Sequence, residues 1–157
     1  MESEATANPD LRTTNIVASA FAAAALVAVL LTAFVMASRP WGCSATSESP
    51  TVTCDWTTSR VIAGVWLLAG LVISLIAWKR WTLPLAILSP VLLAVGLVSV
   101  IGVYVLAPAA LWFASALWLW AQGRQYRMVV SGVATIALLY LVMNGLIASL
   151  VLYFTPV

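Results

Sequence analysis

Cys43 and Cys54 are the only thiols in a chain of 157 residues, and their type and spacing are what most suggests covalent chemistry. They lie in RPWGCSATSESPTVTCDWTTSR, where an oxidised pair closes a short loop. By the chain-entropy account such a bridge contributes roughly 3 kcal/mol. The competing chemistry is thiol–disulfide exchange, which ordinarily uses a C-x-x-C spacing that lowers a thiol pKa, and the spacing here is much wider. A structural bridge is the reading preferred. Trp41 stands two residues before Cys43 and Trp56 two after Cys54, so in extended backbone each indole shares a face with its cysteine. The segment reads as a stapled cap on a membrane surface.

The remaining chemistry-bearing groups are scarce. There is no histidine, and seven basic and five acidic residues all avoid the long apolar stretches. No paired carboxylates, Ser-His set or phosphate-binding loop supports an enzyme. Haem, zinc and di-iron sites would lack most of their usual ligands, so neither a metal nor another cofactor is expected. A net charge of +2 with dispersed arginines argues against nucleic acid, which wants a basic stripe. Proton relays and ion-coupled transport place ionisable groups near the bilayer midplane, and this chain offers none there.

What the apolar stretches do carry is packing chemistry. Ala63, Gly70, Ser74 and Ala77 recur at helical spacing and put small side chains on one face, where another helix can approach closely. Gly145 and Ser149 repeat the small-xxx-small spacing, and Ala18, Ala22 and Ala25 offer a less specific version. These faces serve either packing within the chain or docking against another subunit. Asn144 is the most polar side chain deep in a stretch, read as a clamp to another helix, with Tyr104, Thr135 and Tyr140 as candidate partners. Pro90 should bend its helix, with Ser89 partly satisfying the freed backbone. Trp112 and Phe113 form the one aromatic pair away from predicted helix ends, a candidate contact for a lipid tail or quinone ring.

These residues need elements to hold them. With 64% hydrophobic and 8% charged residues, against about 25% charged in soluble domains, the chain reads as an all-α integral membrane protein. Uncharged runs at 13–38, 61–78, 81–123 and 128–157 are each long enough to cross a bilayer. The third would reach about 60 Å as one helix, so it must fold back, and the turn is expected near Gly102 to Pro108. The expected spans are therefore 15–38, 61–78, 83–102, 105–122 and 128–154, five helices in one bundle. Residues 39–60 form the disulfide loop, and residues 1–14 a disordered tail. The first apolar run is too long for a signal peptide, and Pro40, Trp41 and Gly42 do not make a lipobox before Cys43.

The basic residues orient the bundle. A cytoplasmic N-terminus puts Arg12, Lys79, Arg80, Arg124 and Arg127 inside, leaving Arg39 and Arg60 outside with an extracytoplasmic C-terminus. Trp41, Trp56, Trp78, Trp81, Trp118, Trp120 and Tyr126 then fall at the headgroup level. One lysine against six arginines, with heavy use of alanine and valine, suggests a GC-rich bacterial genome of the actinobacterial kind. The expectation is a multi-pass plasma-membrane protein whose partners are lipids and other membrane subunits. Its expected role is that of a non-catalytic accessory or structural subunit of a respiratory or envelope-biogenesis complex. The alternative is a small transporter or carrier for a neutral or lipidic molecule, acting alone or as an oligomer.

Overall fold

The structure, a computed structural model, describes residues 9–46, 49–98, 102–122 and 124–155. The described elements are α1 (Pro9–Ala37), β1 (Cys43–Thr46), β2 (Ser49–Cys54), α2 (Trp56–Trp78), α3 (Thr82–Val98), α4 (Gly102–Trp120) and α5 (Gln125–Phe154). Four of the helices, α1, α2, α4 and α5, are long and apolar enough to cross a membrane. The 17-residue α3 is shorter. It begins where the third span was expected, and its described residues run to Val98.

The reversal between α3 and α4 depends on two glycines. A Cβ on Gly102 would run into the carbonyl oxygen of Gly96, and one on Gly96 would lie 3.3 Å from the Leu106 Cα. The two helices thus pack closely, and α4 starts earlier than expected. Pro108, placed by the sequence reading at the turn, is instead inside α4 and fully buried. Glycine supplies the close approach, while Pro108 withholds an N–H from the Tyr104 carbonyl.

Other boundaries move outward. Helix α2 starts five residues before Val61 because Asp55 caps it, its Oδ1 accepting from the Thr58 N–H at 3.0 Å. Helix α1 is described from Pro9, so residues 9–14 of the expected disordered tail are helical. Residues 1–8 of that tail lie outside the described residues. At its other end α2 closes through Arg80, whose φ of 59° is left-handed, with the Trp81 N–H donating back to the Ile76 carbonyl at 3.1 Å.

Helix α4 is the axis of the bundle. Its apolar window is 61% buried, against 28% for α2 and for α5, and α1, α3 and α5 all pack extensively on it. Ser115 of α4 lies level with Ala18 of α1, and Gln122 with Asn15, so those two helices run antiparallel. Ser149 of α5 meets the Val103 carbonyl while Ser131 meets that of Leu117, an antiparallel pair again. The hairpin therefore shares one end of the bundle with Tyr104 and Tyr153. Arg12, Lys79, Arg80, Arg124 and Arg127 lie toward the opposite end.

The strands form a two-stranded antiparallel ribbon with Cys43 opposite Cys54, and the register shifts between Ala45 and Thr46. Two further backbone bonds, Trp41 N–H to Asp55 and Asp55 N–H to Gly42, each 2.9 Å, carry the ladder to the start of α2.

Contact between α1 and α2 is set by Gly70. A Cβ there would sit 2.7 Å from the Val29 Cγ2, and Val29 is itself wholly buried. Gly70→Ala is expected to cost about 1 to 3 kcal/mol through overpacking. The midpoint of thermal unfolding in detergent measures it. Adding Val29→Ala should recover part of the loss.

Candidate functional site

Three indole N–H groups reach across helix boundaries to hydroxyls. Trp66 of α2 donates to Thr32 of α1 at 3.0 Å, Trp112 of α4 to Ser74 of α2 at 3.2 Å, and Trp118 of α4 to Thr135 of α5 at 2.9 Å. Thr32 is free to accept because its own hydroxyl donates back to the Ala28 carbonyl at 2.9 Å. The Trp66 and Trp112 rings meet edge to face, with centroids 6.2 Å apart. Each indole thus buries an apolar body and gives its single donor to a neighbouring helix. Among the described residues no buried side-chain nitrogen or oxygen lacks a partner.

This arrangement corrects the reading of Trp112. It is 0% exposed and bonded to Ser74, so it presents no ring to a lipid or quinone, and Phe113 beside it packs on the core. On α2, Ala63, Gly70, Ser74 and Ala77 are all buried; Gly70 lies against Val29 of α1, and Ser74 accepts from Trp112 of α4. On α5, Gly145 lets Ala107 of α4 approach, a Cβ there lying 3.4 Å from its nitrogen. Ser149 is buried and donates to the Gly145 carbonyl at 2.8 Å. These small residues serve packing inside the chain.

Asn144 behaves differently. It is exposed on the outer surface of α5, and its Nδ2 donates only to the Tyr140 carbonyl, 2.8 Å away on the same helix. It clamps no other helix of this chain. An amide has a second N–H and a carbonyl oxygen, and among the described residues neither has a hydrogen-bond partner. Of its expected partners, Thr135 serves Trp118, Tyr140 is itself exposed, and Tyr104 lines a recess at the hairpin end.

That end contains the most polar arrangement. Cys43 and Cys54 are joined, with sulfurs 2.04 Å apart, and Trp41 and Trp56 are both exposed beside them. Half-buried Arg39 begins the loop, two residues after α1 ends. One Nη2 hydrogen goes to the Tyr153 carbonyl, and the guanidinium carbon lies 5.8 Å from the centre of the Tyr153 ring. A recess of about 250 Å³ opens here, lined by Met36, Arg39, Trp41, Ser59, Ile62 and Tyr104. Sequence reasoning counted Arg39 only as an outside charge. Its one legible signal was position: a basic residue directly after an apolar helix and before a proline.

Comparison with protein-family models, with curated proteins and with solved structures finds no match to this chain.

Two measurements probe the hairpin end. Maleimide labelling should modify Cys43 and Cys54 only after reduction; reactive thiols beforehand would refute the bridge. Hydrogen bonds from the Thr58 side chain and then its backbone hold the Asp55 carboxyl below the ordinary aspartate range. The cap is therefore complete above the unfolded value of about 3.9 and is lost as pH falls through the lower folded value. Hydrogen-exchange protection at Thr58 and Ser59 should drop on that descent. Asp55→Asn, which keeps an acceptor but cannot titrate, should abolish the pH dependence.

Proposed function

We propose that the chain is a non-catalytic accessory subunit, packed through its membrane helices against a larger complex in a bacterial plasma membrane. The observation that carries the proposal is the outward amide of Asn144. Asn144 lies ten residues before the end of α5, about 15 Å from Phe154 along the helix, a depth that belongs to the hydrocarbon core. An amide at that depth is favourable against a hydrogen-bonding helix and unfavourable against lipid tails.

The surrounding pattern supports a helix as its partner. Val133, Ala137, Tyr140, Asn144, Ile147 and Val151 alternate at spacings of four and three, and all are exposed. That is the seam of a left-handed helix pair, with one polar residue to set its register. The complex is of the respiratory or envelope-biogenesis kind, and the chain crosses five times from a cytoplasmic N-terminus. Five basic residues at the end opposite the hairpin, against two near it, support that orientation.

Gentle detergent extraction and affinity purification should recover the chain with a larger partner subunit. Asn144→Leu should weaken that association by roughly 1 to 2 kcal/mol. It should leave the chain's own unfolding midpoint nearly unchanged, because the amide bonds only within α5. Recovery solely as a monodisperse homo-oligomer would overturn the accessory-subunit reading.

A further inference from the structure

We propose that the cleft between α1 and α5 at the hairpin end binds an anionic phospholipid, with the phosphate on Arg39 and one acyl chain between the helices. Helices α1 and α5 touch little, since α4 lies between them over most of their length. Near the hairpin they leave an apolar cleft of about 280 Å³ lined by Leu31, Phe34, Val35, Leu146, Leu150 and Phe154. From Leu146 to Phe154 its α5 wall extends about 12 Å, in the direction an acyl chain follows.

The cleft has a polar head. Tyr153 lines both the cleft and a wider recess beneath the hairpin, and Ser38 and Arg39 line that recess. The two spaces therefore adjoin, with Tyr153 on the wall of both. Arg39 uses one of its five N–H donors on the Tyr153 carbonyl, and among the described residues it pairs with no carboxylate. Its remaining donors suit the two free oxygens of a phosphodiester, which a planar guanidinium can engage together. No described carboxylate stands at Arg39 to receive the ammonium group of a zwitterionic headgroup. That asymmetry selects anionic lipid. Trp41 and Trp56, exposed at the same end, fit the headgroup level beside it.

Native mass spectrometry of the purified full chain, released from equal mixtures of phosphatidylglycerol and phosphatidylcholine with identical acyl chains, tests the proposal. Both lipids offer Arg39 the same phosphate, but only phosphatidylcholine brings a second cation beside the guanidinium, so phosphatidylglycerol adducts should exceed phosphatidylcholine adducts by roughly tenfold. Arg39→Gln should bring the ratio to about one, while Arg39→Lys, a point charge without the fork, should lower the ratio yet keep it above one. Leu150→Trp, which fills the cleft, should reduce both adducts. Circular dichroism verifies the helical content of each variant, and if Arg39→Gln does not fold, the Arg39→Lys and Leu150→Trp results decide. Equal retention of the two lipids by the unmodified chain, or an unchanged ratio in Arg39→Gln, would overturn the proposal. Complete displacement by free glycerol phosphate would also overturn it, reducing the site to a phosphate pocket without a chain.

Discussion

A polar group inside hydrocarbon must find its partner within the protein, and the bundle is arranged around that constraint. Three indoles give their only donor to a hydroxyl on another helix, and Thr32, one of the three acceptors, sends its own proton to the Ala28 carbonyl, as Ser149 does to that of Gly145. Close approach makes these bonds possible. Gly70 brings α1 onto α2, and Gly96, Gly102 and Gly145 bring the α3–α4 and α4–α5 pairs together, so a side chain of ordinary length spans the gap. Small residues and indole bonds form one device, in which the first sets the distance that the second requires.

Helix α4 holds the device together because it is the element its neighbours share. Its indoles reach both α2 and α5, while Ser115 reaches the Ala18 carbonyl of α1 at 3.0 Å. Consequently the outer faces of α2 and α5 are left to lipid or to partners. On those faces most side chains are aliphatic and need no explanation. Asn144 is the departure from that rule. Arg39 departs in a different way, as a half-buried cation in the recess that adjoins an apolar cleft at Tyr153.

Helix number was legible in the sequence: five helices were expected and five are described, although only four of them are long and apolar enough to cross a membrane. Charge-free runs located α1, α2 and α5 to within a few residues over most of their boundaries, because hydropathy sums over long windows and tolerates local exceptions. Ends were less legible. The Asp55 cap and the glycine reversal before α4 are local hydrogen-bonding and steric events that hydropathy does not register. The cysteine loop was legible because two thiols in one short segment allow only one intrachain bridge.

The faces of the helices were beyond hydropathy. Spacing placed Ala63, Gly70, Ser74 and Ala77 together on one side of α2 but left open whether that side met this chain or another. The same limit made Trp112 look like a lipid contact and Asn144 like an internal clamp. Composition and charge determined by themselves that the chain has helices apolar and long enough to cross a membrane, and the covalent pairing of its thiols followed from there being only two. Tertiary structure alone decided which stripe of each helix turns inward, turning Trp112 to the axis and Asn144 to the outside. The physical reason is that every helix here is apolar nearly all round, so its rotation is set by neighbouring shapes and by a few indole–hydroxyl bonds.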